Sequence, residues 1–163
     1  MTLIVAIPAK NGIVIGSDTL ITSGYNSWNS QKILEFNHFT LWGASGDVSL
    51  IQRVEWEIQA LPKDEISDNN TLFNNRETIC GIVMRSVLSE MSLDPTQAYY
   101  ANNPDGLLYK HSGDFIFAEY KDKRSLIFHV MNCGKSELIW DRPFATGSGA
   151  PFAYALLSKY SNE

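Results

Sequence analysis

The sequence predicts an α+β fold with helices covering antiparallel sheets: paired β-branched runs open the chain, helical periodicity fills its middle, and further strand pairs precede a last helix. Residues 3–8 and 12–18 are β-branched runs separated by Ala9-Lys10-Asn11, and the Asn11-Gly12 pair is the strongest short hairpin signal. The polar segment 22–30 reads as a loop. A second pair, 32–36 and 39–43, surrounds Asn37-His38. Val48, Ile51, Val54, Ile58 and Leu61 then recur at spacings of three and four, which places them on one helical face, with Asp47 as N-cap and Pro62 as stop. The Asn-rich stretch 64–75 reads as a loop. Ile79, Val83, Val87 and Met91, joined by Cys80 and Leu88, mark a second helix ending before Pro95. Residues 96–112 are loop-like. A hairpin over 114–120 and 125–131 follows, then strands at 138–140 and 144–146, a break at Gly147-Ser148-Gly149, and a helix from 150 to 160. Without an internal repeat or linker, residues 1–163 are expected to form one domain.

Composition removes several classes of function. The 163 residues are 44% hydrophobic and 19% charged, as in ordinary globular proteins, and no apolar run reaches the roughly 20 residues of a membrane helix. A net charge of −5, with no Lys/Arg cluster longer than the Lys121-Asp122-Lys123-Arg124 turn, argues against nucleic acid as a partner. The start lacks the basic n-region of a signal peptide, so a cytoplasmic location is expected. Cys80 and Cys133 are too few for a disulfide framework and read as buried, reduced thiols. His38, His111 and His129 show no metal-ligand spacing, Trp42, Trp56, Tyr99 and Tyr100 read as packing residues, and neither metal nor cofactor is expected.

The candidates for chemistry are unremarkable one at a time. Thr2 begins a strand, Asp18 ends one, Lys32 begins another, and Ser148 could cap the following helix. Their joint order is more specific. The opening Thr2-Leu3-Ile4-Val5, the Gly16-Ser17-Asp18 closing the second strand, Gln31-Lys32-Ile33, Gly43-Ala44-Ser45-Gly46-Asp47 before a helix, and the late Gly147-Ser148-Gly149 with the apolar run after it resemble the β-type subunits of the proteasome. HslV-like bacterial peptidases share much of the pattern, and the resemblance spans residues 2–157.

This resemblance implies the N-terminal nucleophile hydrolase fold, a four-layer α-β-β-α sandwich, and peptide-bond hydrolysis by a terminal threonine. Thr2 would be the nucleophile and its freed α-amine the base, since a hydroxyl needs an adjacent base and an α-amine titrates near pH 8. Removal of Met1, which a small second residue permits, is expected to free that amine. Lys32 would favour the neutral amine and the developing alkoxide, Asp18 would hold Lys32, Gly43 would supply an oxyanion-hole N–H, and Ser148 would position the amine. Pocket side chains are expected from residues 20–31 and around Ser45, Ser49 and Arg53. The stretch after Gly149 is shorter than in the family, so the fold is expected to be short at its C-terminus, without the further Asp and Ser that assist the site there. Implied partners are a peptide or unfolded protein as substrate, a homo-oligomeric ring, and a separate ATP-dependent unfoldase, because the chain has no phosphate-binding loop of its own. A non-catalytic scaffold subunit and an amidohydrolase acting on a small amide remain alternatives.

Overall fold

The first hairpin forms where expected, although its turn residues are Lys10-Asn11 and Gly12 already stands in a strand opposite Ala9: in the computed structural model, which describes residues 2–23, 25–64, 66, 70–97 and 102–160, β1 (Ile4–Ala9) pairs antiparallel with β2 (Gly12–Ser17). On its other side β1 pairs with β10 (Phe144–Thr146), setting Ile4 opposite Thr146. Residues near the two ends of the sequence thus become neighbours. The segment read as a loop over 22–30 contains a hairpin of β3 (Leu20–Ser23) and β4 (Asn26–Asn29). Every β4 side chain is exposed, so no buried face imprinted a period of two on this polar stretch.

A five-stranded antiparallel sheet has the order β5 (Ile33–Asn37), β6 (Thr40–Gly46), β7 (Gly113–Lys121), β8 (Arg124–Met131), β9 (Ser136–Ile139). Asp122 and Lys123, both at positive φ, form the two-residue turn between β7 and β8. Strands β7 and β8 are buried on both faces. Trp42, Phe115, Phe117 and Phe128 meet the helices on one side, while Ile116, Ala118 and Ile127 meet Ile4 and Ala6 of β1 on the other.

Helix α1 (Val48–Gln59) starts at the expected cap, with the Asp47 carboxylate accepting the Ser49 N–H, and buries Leu50, Val54 and Ile58. Helix α2 (Leu72–Leu93) begins earlier than the periodicity indicates: Thr71 caps it, and its first turns, rich in Asn, Arg and Glu, carry little apolar signal. Leu88, placed on its apolar face by spacing, is exposed. The stretch read as a loop over 96–112 contains the short α3 (Pro104–Lys110), capped by Asn103, and α4 (Ala150–Tyr160) rests on β1 and β10.

Several single-residue expectations need correction. Cys133 is exposed and Cys80 half-buried, although both are free thiols. Trp42 packs in the core, but Trp56 is exposed on α1. His111, by contrast, is a structural histidine as expected: it is buried at the end of α3, with Nε2 2.8 Å from Asp94 Oδ2 and Nδ1 3.4 Å from Asp47 Oδ2. Tyr99, Tyr100 and Met1 lie outside the described residues. Among the described helices none is long and apolar enough to cross a membrane.

Candidate functional site

Asp18 stands immediately after β2, where the chain leaves the hairpin, and ties three segments together. Its Oδ1 accepts the Leu3 N–H at 2.7 Å, and its Oδ2 accepts the Leu20 N–H at 3.2 Å and Lys32 Nζ at 2.8 Å. Lys32 also donates to the Leu20 carbonyl oxygen. With only 7% of its side chain exposed, the lysine is taken out of water and given a carboxylate and a carbonyl instead. Burial pushes the Asp18 carboxyl up, but the Lys32 hydrogen bond, the Leu3 and Leu20 N–H groups and the lysine charge together hold it below its ordinary value. The Asp18 carboxylate is therefore ionised at neutral pH.

Thr2 is held from the other end of the sequence. Its backbone nitrogen donates to Ser148 Oγ at 3.1 Å, and its carbonyl accepts the Gly149 N–H at 2.9 Å. The two glycines have a steric reason. A Cβ on Gly147, which has φ +90°, would fall 2.3 Å from the Thr2 carbonyl oxygen, and one on Gly149 would fall 2.9 Å from Leu3 Cβ. Glycine at both positions lets the backbone of the turn approach so closely, and Ser148 between them presents a hydroxyl.

Thr2, Lys32 and Ser148 line one cavity of about 840 Å³, together with Ser45, Asp114 and, on α1, Glu55. The β3 strand contributes Ile21 and Thr22 to the rim. The structure thus brings together four of the five sequence candidates: Thr2 and Ser148 by one hydrogen bond, Asp18 and Lys32 by another, with Leu3 joining the pairs. Gly43 does not line the cavity. It sits within β6 between Ile33 of β5 and Ile116 of β7, and a Cβ there would come within 3.0 Å of the Lys32 carbonyl oxygen. Its missing side chain lets the Lys32 backbone pack against the sheet.

Of the expected pocket residues Ser45 lines the cavity, whereas Ser49 and Arg53 turn to Glu90 of α2. Sequence reasoning missed Thr146, Asp114 and His129, which form a hydrogen-bonded run with Ser45. Cross-strand register links Ser45, Asp114 and His129, and Thr146 reaches them from β10 in the other sheet, so no local motif signals the run. No family model matches this chain, and no curated protein matches it either.

Proposed function

We propose that this chain is a threonine-type peptidase of the N-terminal nucleophile class, similar to proteasome β-type and HslV-like subunits. The observation that carries the reading is the meeting of the Thr2 nitrogen with Ser148 Oγ in a cavity that also receives Lys32, itself held by Asp18. Helices α1 and α2 on one face of the five-stranded sheet, the three-stranded sheet on its other face, and α4 on β1 and β10 support the four-layer α-β-β-α arrangement. One domain over residues 1–163, a ring of identical subunits in the cytoplasm, and delivery of unfolded protein by a separate ATP-driven unfoldase belong to the same proposal.

Once Met1 is removed, the Thr2 amine is free and remains beside Ser148. The amine takes the proton from Thr2 Oγ as that oxygen attacks the scissile carbonyl carbon. The tetrahedral intermediate collapses, the C–N bond breaks, and the leaving nitrogen takes the proton back from the ammonium. A water then attacks the ester, losing its proton to the same amine, and Thr2 Oγ is released with its hydrogen. Lys32 acts electrostatically throughout: a nearby cation favours the neutral amine and the developing alkoxide. The Gly43 N–H is the oxyanion donor in the same proposal, the role that the resemblance implies.

The test is peptide hydrolysis by a chain whose intact mass shows that it begins at Thr2. Thr2→Ser is expected to retain turnover, and Thr2→Ala to abolish it while circular dichroism and thermal midpoint stay unchanged. Undiminished turnover in Thr2→Ala would overturn the reading.

A further inference from the structure

The hydrogen-bonded run beside Thr2 has no part in the steps above. Ser45 Oγ lies 3.1 Å from Thr146 Oγ1, Thr146 Oγ1 lies 3.1 Å from Asp114 Oδ2, and Asp114 Oδ1 lies 2.9 Å from His129 Nε2. Two sheets assemble it: Ser45 faces Asp114 across β6 and β7, His129 stands on the same face opposite Ile116, and Thr146 comes from β10 in the three-stranded sheet. Ser45, Thr146 and His129 are buried, while Asp114 and Ser45 both border the cavity.

The run has a direction. The hydrogen bond from His129 pulls the Asp114 carboxyl below its ordinary value against an upward push from burial, and the His129 charge and Thr146 add to the lowering. An ionised carboxylate only accepts hydrogen bonds, and a hydroxyl has one proton to give. Thr146 gives its proton to Asp114, so toward Ser45 it can only accept. The Ser45 proton is thereby committed to Thr146, and lone pairs are all that Ser45 has left for the cavity.

We propose that Asp114, acting through Thr146, makes Ser45 a fixed hydrogen-bond acceptor in the cavity wall, and that Ser45 selects substrate residues whose side chains carry a hydrogen-bond donor. Asp114 and Thr146 are positioning residues in this scheme, and Ser45 is the group that touches the substrate. The preference rests on the peptidase reading for its turnover assay, whereas the acceptor itself does not. Because Glu55 borders the same cavity and would attract any cation, neutral Gln is the informative donor. Met is its near isostere without a donor, and Glu its near isostere that only accepts.

The experiment compares three acetylated fluorogenic peptides ending in Gln, Met or Glu, and measures calorimetric binding of the acetyl amino-acid amides of Gln, Met and Glu to the Thr2→Ala chain. Ser45→Ala is expected to lower the Gln-to-Met ratio of kcat/KM about tenfold, the effect of one hydrogen bond of ordinary strength. Thr146→Val leaves the Asp114 charge in place but frees the Ser45 hydroxyl to donate, so the Gln-to-Glu ratio is expected to fall by a similar factor. Thr146→Ser is expected to restore it, which a merely structural role for Thr146 does not require. If the Gln-to-Met ratio ignores Ser45→Ala, or the Gln-to-Glu ratio ignores Thr146→Val, with turnover otherwise normal, the acceptor assignment fails and the peptidase reading stands. If no peptide is cleaved but binding to the Thr2→Ala chain follows the same ranking and loses it on adding Ser45→Ala, the acceptor stands and the peptidase reading fails.

Discussion

Lys32 is a cation almost withdrawn from water, and its partner decides what it can do. Asp18 keeps its bonds to the Leu3 and Leu20 N–H groups if the lysine is removed, but loses the hydrogen bond and the charge that offset its burial. In the proposed peptidase Lys32→Met is therefore expected to lower kcat by about 10²–10³, the range for one lost electrostatic group in a preorganised site, since the Thr2 amine would no longer be held neutral. The accompanying loss of stability should be smaller than the roughly 3–5 kcal/mol of a broken fully buried pair, because a third of the Asp18 side chain meets solvent. Urea unfolding alongside kcat separates the two effects, and a fall in stability with unchanged kcat would remove Lys32 from the chemistry. Lys32→Arg is not expected to rescue turnover, because a planar fork cannot reproduce a point charge shared by Asp18 and the Leu20 carbonyl. At Gly147 the constraint is steric. Gly147→Ala adds about 1–2 kcal/mol of left-handed backbone strain to a contact with the Thr2 carbonyl that has no room to relax, so thermal midpoint and turnover should fall together.

Between elements, polar side chains decide where helices begin. Glu119 of β7 is buried and accepts the Leu72 N–H at the start of α2 at 2.8 Å and the Thr40 hydroxyl of β6 at 3.2 Å. Burial raises its carboxyl above the ordinary value, with those two bonds and the Lys121 charge pulling the other way. Its charged form is thus less favourable folded than unfolded. Glu119→Gln, which keeps an acceptor oxygen and removes the charge, is expected to leave the urea midpoint at pH 7 unchanged or higher, whereas Glu119→Ala should cost about 1–3 kcal/mol by orphaning the Leu72 N–H. Equal losses in the two variants would contradict the assignment. Elements of this molecule were legible where the chemistry is local: the short polar break at Lys10-Asn11 sets the first hairpin, and Asp47 caps α1 by accepting the N–H of Ser49 two residues on. Strand β4, the first turns of α2 and all of α3 were not, because they bury too few apolar side chains to leave a period. The candidate site divides in the same way. Thr2, Asp18, Lys32 and Ser148 could be picked out by their order along the chain, but the run from Ser45 to His129 depends on which strands lie side by side, and Asp114 meets Thr146 only because β10 returns to β1.

Across the whole molecule, the shifted carboxylates point mostly one way, and that fixes how the fold responds to acid. Asp18, Glu90, Asp94 and Asp114 are all held below their ordinary values, each at a junction: Asp18 between Leu3, Leu20 and Lys32, Glu90 between α2 and α1, Asp94 between α2 and the end of α3, Asp114 between β7, β8 and β10. For Glu90 the partners that prevail over burial are Arg53 and Ser49, and for Asp94 they are first Lys110 and Thr96, then His111. A carboxyl that is more acidic folded than unfolded adds stability above its unfolded value, about 4.5 for Glu and 3.8 for Asp, and the addition disappears as pH falls through the lower folded value. Glu119, shifted upward, works in the opposite sense: it disfavours folding above about 4.5 and recovers as pH falls. A net charge of −5 also relaxes on mild acidification, but at 0.15 M salt the screening length is about 8 Å, so close pairs outweigh the global field. The urea midpoint is therefore expected to fall between pH 5 and pH 2.5, with Asp114→Asn lower at pH 7 than the parent and its acid slope shallower. A midpoint that rose toward pH 2.5 would mean that repulsion among the excess acids, and not these four junctions, sets the stability of the fold.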